Sequence, residues 1–185
     1  MAVREILFGR NAVRECLRAG RRKVYRLLIA EGVRETDVLG EIVRLAERAR
    51  VPIKHVPRDS VDQIAPGGGA QGVALEADDS PYADPGDILA LAQSRGEPPF
   101  VLLLDLLQDP QNVGTLLRTA EAVGVHGVVL QERRSAEITP AVANASAGAV
   151  EHLLIAQETN LVRVMETLKA GEKRIPRRGA AVPGH

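Results

Sequence analysis

Tryptophan is absent from this 185-residue chain, and phenylalanine and tyrosine supply only two residues each. So few aromatics leave the core to Leu, Val, Ile and Ala, and they exclude the stacked-ring platforms on which single-stranded RNA is often held. Cysteine occurs once, at Cys16, so no disulfide can form within the chain. Cys16 falls on an apolar helical stripe and is expected to pack as a small hydrophobe. No apolar run approaches the length of a membrane span, and the opening M-A-V-R-E-I has no signal-peptide apolar region. A cytoplasmic protein with no membrane partner is therefore the expectation. The histidines His55, His126, His152 and His185 are scattered without i, i+4 partners, so each reads as a surface or packing residue and no metal site is expected. No G-x-G-x-x-G or P-loop follows a strand, which leaves little support for a doubly wound nucleotide-binding enzyme.

Net charge is zero, which alone argues against a nucleic-acid partner, but the charges are unevenly placed. Residues 1–60 hold 14 Lys and Arg against 8 Asp and Glu, and the remainder holds 10 against 16. Arg18, Arg21, Arg22, Lys23 and Arg26 cluster around one turn and form a candidate RNA-binding patch for phosphates. The same cluster also suits an ordinary solvated surface.

What is present is an α/β alternation. Ala12, Val13, Cys16 and Leu17 make a helical stripe closed by Gly20, and Val24 to Ala30 reads as a strand. Glu35 to Arg50 is a second helix with Val38, Ile42, Leu45, Ala46 and Ala49 on one face, and Pro52 to Val56 a further strand. Asp59 or Ser60 is placed to cap a brief helix, Gly67-Gly68-Gly69 breaks the chain, and Gln71 to Ala77 is again a strand. Residues 1–77 thus form a small α/β unit, followed by a Pro-, Gly- and Asp-rich linker over 78–98 with one short helix, Ile88 to Gln93.

The polar junction after Phe100–Leu104 organises the rest. That short apolar run suits a parallel strand covered on both faces, and Asp109-Pro110 is a turn after which a helix can start. Val113, Leu116, Leu117, Ala120 and Val123 are expected on its buried face, with Gly124 as the stop. Arg118 and Glu121 lie on the other face, where an i, i+3 pair is expected, and Asn112 lies at the N-terminus. By pattern alone Arg118 is as well explained as a solvated arginine. Gly127 to Gln131 and Leu153 to Ala156 read as the next strands. Thr139-Pro140 opens one helix and Asn160 caps another, which uses Leu161, Val164, Met165 and Leu168 and ends before Gly171.

The string D-P-Q-N-V-G-T-L-L-R-T-A-E-A-V-G, residues 109–124, resembles the first signature motif of the SpoU/TrmH-type RNA ribose 2'-O-methyltransferases of the SPOUT superfamily. Gly9 to Leu17 looks like the opening of that family's substrate-binding domain, and Ala70 to Ala74 like its closing strand, with Ala70 where the family usually has His. Arg134-Ser135-Ala136, the stretch from Ser146-Ala147-Gly148-Ala149 to Ile155, and Asn160-Leu161 follow the order of its catalytic domain. The layout is most similar to the 23S rRNA guanosine 2'-O-methyltransferases, with tRNA-directed relatives as competitors.

The resemblance implies a ribosomal-protein-L30-like α/β domain over 1–77 and a SPOUT-type parallel-sheet α/β domain over 99–171. It implies methyl transfer from S-adenosylmethionine to a ribose 2'-hydroxyl, with Arg118 as the motif arginine that stabilises the oxyanion and clamps a phosphate. Asn112 would place the RNA or hold Arg118. It also implies RNA, in the first place 23S rRNA, as partner. The family's second and third motifs, which form a C-terminal trefoil knot that binds the cofactor and carries a homodimer interface, are not found. The chain is therefore expected to be an incomplete form of the domain with no assignable cofactor residues, weak cofactor binding and a doubtful dimer. The Pro- and Arg-rich stretch 172–185 is expected to be an aberrant, disordered tail of a truncated or frameshifted frame. A non-catalytic RNA-binding fragment is the alternative.

Overall fold

The computed structural model describes residues 3–65 and 69–172. The first unit runs β1 (Arg4–Phe8), α1 (Arg10–Ala19), β2 (Val24–Ala30), α2 (Asp37–Arg48), β3 (Ile53–Val56), α3 (Arg58–Asp62) and β4 (Val73–Asp78). Its strands pair in the order β1-β4-β2-β3, with β4 antiparallel to both neighbours and β2 parallel to β3. The second unit follows α4 (Pro85–Arg95) with β5 (Val101–Leu104), α5 (Pro110–Ala122), β6 (Gly127–Gln131), α6 (Pro140–Ala145), a 3-10 turn at Ala149–His152, β7 (Ile155–Glu158) and α7 (Leu161–Glu172). Here β5, β6 and β7 form a wholly parallel sheet. The expected α/β class and the parallel second sheet are both found. The expected triple-glycine break lies mostly outside the described residues, and so does the expected tail from residue 173 onward.

Local chemistry accounts for the boundaries. Gly20 ends α1 in the left-handed conformation at φ 61, with its N–H on the Cys16 carbonyl. The Asp109 carboxylate accepts from the N–H groups of Gln111 and Asn112, so Pro110 becomes the first residue of α5. Asn160 caps α7 through Arg163 N–H, as the sequence suggests. α7 runs through Gly171 instead of stopping before it, and Met165 stands exposed where burial was expected. The linker helix is longer than its apolar stretch predicts, because Asp84 and Asp87 form a capping box around Pro85 and start it three residues earlier. Ile88 then lies against Gly127 of β6, so this segment packs on the second sheet as a layer of it.

The buried face of α5 differs from the expected one. Leu116 is 37% and Val123 57% exposed, whereas Gly114 is buried. The reason is a close crossing by α6: a methyl group at Gly114 would stand 2.8 Å from the carbonyl carbon of Ala145 and from the Ser146 nitrogen. This contact turns Val113, Gly114, Leu117 and Ala120 inward and leaves Leu116 outside. Gly114→Ala is expected to cost about 1–3 kcal/mol through overpacking, read as a lower midpoint in thermal unfolding. An unchanged midpoint would remove the close-crossing argument.

One hydrophobic cluster runs through both units, from Leu7, Val13, Cys16, Leu27 and Leu75 to Val113, Leu117, Leu130 and Val150. The Cys16 thiol inside it is pushed up to about 12 by burial and by the Glu151 charge, despite the opposing charge of Arg22. An unfolded thiol ionises near 9.0 while the folded one stays neutral, so stability is intact below that value and falls as pH rises towards 12. Cys16→Ala should flatten this alkaline loss in pH-resolved denaturant melts; an equally steep loss would mean that other groups cause it. No helix among the described residues is long and apolar enough to cross a membrane.

Candidate active site

The two units meet along a polar seam. Arg22, in the turn between α1 and β2, places its guanidinium in a fork on Glu151, with Nε donating to Oε2 at 2.9 Å and Nη2 to Oε1 at 2.5 Å. Its Nη1 donates to Glu5 Oε2 at 3.2 Å, and the side chains of Arg22 and Glu151 are each 1% exposed. Arg21 donates to the carbonyl of Leu153 at 2.6 Å, and Asn144 Nδ2 donates to the carbonyl of Phe8 at 3.0 Å. Next to Glu151, His152 Nε2 lies 2.9 Å from Glu15 Oε2 on α1.

These contacts correct the expected patch at Arg22 alone; Arg21 and Lys23 are exposed, and Arg18 and Arg26 are partly exposed in surface ion pairs. Arg22 is dry and fully engaged, so it holds the units together and is not available to a phosphate. Arg21 reaches seam carbonyls, Arg26 pairs with Glu76, and Lys23 lies 5.2 Å from the Tyr25 ring centroid. Arg18 pairs with Glu41 and Glu15. Arg18 closes α1, Arg21, Arg22 and Lys23 lie in the turn between α1 and β2, and Arg26 lies in β2, so sequence neighbours end on different surfaces.

Beside the seam opens a cleft of about 470 Å³ lined by Glu15 and Arg18 of α1, Arg118 and Glu121 of α5, and Ser146, Ala147, Ala149 and His152. Arg118 is thus brought together with Arg18 from the other unit. Arg118 and Glu121 share the cleft but form no ion pair among the described residues, contrary to the i, i+3 expectation. Asn112 is not brought to Arg118. Six residues earlier it is turned about 120° away around the helix, at the third helical position, where its N–H is held by Asp109. Both residues are exposed. In the sequence His152 reads only as a surface or packing residue and Glu15 is not singled out, although each lies in a stretch that carried the resemblance; no local spacing links residues 137 positions apart.

At the carboxyl ends of β5 and β6, where open parallel sheets take ligands, Leu106 at φ 54 and Arg134 at φ 59 hold the left-handed conformation. Gln131 Oε1 and Ser135 Oγ are buried there without a hydrogen-bond partner among the described residues. Orphaned polar atoms of this kind fit a ligand that brings both donors and acceptors, as an adenosyl group does. Among the described residues there is no group of three or more His, Cys, Asp or Glu that could hold a metal.

Comparison with known proteins matches this arrangement on both sides of the seam. Residues 6–83 match the model of the RNA 2'-O ribose methyltransferase substrate-binding family, and residues 99–178 that of the SpoU rRNA methylase family. A Bacillus subtilis protein named as a TrmH-family tRNA/rRNA methyltransferase, YacO, is 40% identical over 165 residues, covering 89% of this chain and 65% of that protein. An uncharacterized tRNA/rRNA methyltransferase of Mycolicibacterium vanbaalenii is 41% identical over 88% of this chain and 51% of its own length. The chain thus spans between half and two thirds of these relatives. Among solved structures, the SpoU methyltransferase AviRb of Streptomyces viridochromogenes, in complex with AdoMet, aligns at TM-score 0.68 with 19% identity, over 89% of this chain and 59% of that one. At that identity the likeness is one of fold.

Proposed function

Because the chain belongs to the SpoU rRNA methylase family, we propose that it transfers a methyl group from S-adenosylmethionine to a ribose 2'-hydroxyl of RNA. The observation that carries this reading is the delivery of Arg118 into a cleft walled by both units. A guanidinium there presents a planar fork of donors to a phosphate or to the oxyanion that develops as the hydroxyl loses its proton. Arg18, on the opposite wall, extends the positive edge for the backbone of the same strand. Asn112, at the positive end of α5, approaches the RNA from the helix terminus. Gln131 and Ser135 would hold the cofactor, whose bound sulfonium supplies an electrophilic methyl group.

The proposed substrate is ribosomal RNA, 23S rRNA first, in the cytoplasm. A homodimer is consistent with Leu116 and Val123, exposed seven residues apart on α5. The test is incubation of the chain with labelled S-adenosylmethionine and bacterial ribosomal or transfer RNA, with the methylated ribose located by its resistance to alkaline cleavage. Stable RNA binding without label transfer would leave a non-catalytic RNA-binding protein in its place.

A further inference from the structure

A second cavity, of about 780 Å³, opens in the first unit between α2 and the ends of β2 and β3. Ile29, Val33, Leu39 and Val43 give it an apolar, largely buried floor, and Glu35, Asp37, Arg44 and His55 stand exposed around its rim. Its size is that of a pocket for a small planar ligand. Resting on the reading of this chain as an RNA methyltransferase, we propose that this groove holds one unpaired guanine base of the RNA, with Asp37 on its N1 and amino edge and Arg44 on its O6 and N7. The groove lies wholly within residues 6–83, the part of the chain that matches the substrate-binding family, which favours RNA as its occupant.

Asp37, Gly40 and Arg44 are spaced i, i+3, i+7 along α2 and share one flank of the helix. Helical side chains lean towards the N-terminus, and Arg44 does so: its Nη1 stands 3.4 Å from the point that a Cβ on Gly40 would occupy. The guanidinium is laid back over the glycine towards the carboxylate, yet among the described residues no ion pair closes between them. Glu35 and His55 likewise have no side-chain hydrogen bond or salt bridge there. On the other flank of the same helix Glu41 is fully paired, with Arg14 and Arg18 of α1. The open flank is braced from behind. Gly72, at φ 77, lies so near Val33 that a Cβ would stand 2.4 Å from it. Arg10 donates to Thr36 Oγ1 at 2.6 Å and to the carbonyls of Arg34 and Gln71 at 3.2 Å each, which ties the loop before α2 to the rest of the unit. A wall held in this way needs little ordering when a ligand arrives.

The donor set selects the base. Guanine carries two adjacent donors, N1–H and the exocyclic amino group, which match the two oxygens of a carboxylate, and two acceptors, O6 and N7, which match the fork of an arginine. Adenine sets the acceptor N1 against the carboxylate, and cytosine and uracil offer one donor group flanked by acceptors. Carboxylates on the rim repel phosphate, so a base enters and the backbone stays outside, where Arg34 and Lys54 are exposed. His55, from β3, supplies a ring for stacking on the base. The cleft that holds Arg118 lies on the α1 side of the unit, lined by Glu15 and Arg18. The guanine read in the groove therefore belongs to a nucleotide other than the one methylated, and Asp37 and Arg44 act as specificity determinants.

The experiment titrates the full chain with a fluorescent oligouridylate that carries a single central guanosine, and with the same strand carrying inosine or adenosine there. The guanosine strand should bind about 10-fold more tightly than the adenosine strand, with inosine, which lacks the amino group, between them. Asp37→Asn should remove most of that preference, and Arg44→Gln should weaken the guanosine strand while leaving the adenosine strand unchanged. Both side chains are exposed, so thermal unfolding should stay at the wild-type midpoint. Equal affinity of the wild type for the guanosine and adenosine strands would overturn the groove, and so would a preference that survives in Asp37→Asn or is lost in Glu35→Gln instead. Methyl transfer to ribosomal RNA is read separately with labelled S-adenosylmethionine: a guanine preference without label transfer would uphold the groove and remove the methyltransferase reading, and label transfer without the preference would do the reverse.

Discussion

Arg118→Ala is expected to slow methyl transfer to RNA by about 10²–10³-fold, the loss usual when one preorganised donor to a developing oxyanion is removed. Thermal unfolding should not move. Arg118 is exposed on α5, opposite the face formed by Val113, Gly114, Leu117 and Ala120, and none of its contacts closes the core. Arg118→Lys keeps the charge but not the planar fork, so it should restore only part of the rate. If the arginine also grips the phosphate in the ground state, KM for RNA rises together with the fall in kcat. A full rate in Arg118→Ala would remove the residue from the site and with it the observation on which the proposed function rests.

The second large effect is on stability. Arg22→Ala leaves Glu151 buried and unpaired beside the Glu5 carboxylate, and losing one partner of a buried pair costs about 3–5 kcal/mol. For a chain of this size that is a fall of roughly 10 °C in the unfolding midpoint. Glu5 already shows the strain of the location: burial raises its carboxyl above the usual range, against the attraction of Arg22. Replacing both members with apolar residues, Arg22→Met with Glu151→Leu, should recover most of the loss, since a buried ion pair contributes little against a well-packed apolar substitute. A midpoint unchanged in Arg22→Ala would show that the seam is wet and the pair solvated in solution.

Most of the elements were legible because each rests on a local rule. Gly20 and Gly124 stop helices, Asp109-Pro110 starts one, and β2 and β6 coincide with their apolar runs. The place of Arg118 on the outer face of α5 was legible through the helical period. What the sequence could not show depends on pairs distant along the chain. The clustering of Arg18, Arg21, Arg22, Lys23 and Arg26 suggested a solvent-facing patch, but Glu151, 129 positions beyond Arg22, turns its centre into a buried ion pair. Leu116 satisfied the helical period, yet α6 crosses at Gly114 and decides which side of α5 is covered. His152 is exposed, as a surface histidine should be, but its contact with Glu15, 137 positions away, could not be read from the sequence.

The shared core and the Arg22–Glu151 fork also bear on modular exchange. A substrate-binding unit that merely tethered RNA could be traded for another by recombination in the linker. Here the graft would also have to supply the Phe8 carbonyl for Asn144, the Glu15 carboxylate for His152 and an arginine for Glu151. A chimera joined in the 78–98 segment without them would strand Glu151 in an apolar wall, so the first unit is expected to diverge by substitution within it more readily than by replacement.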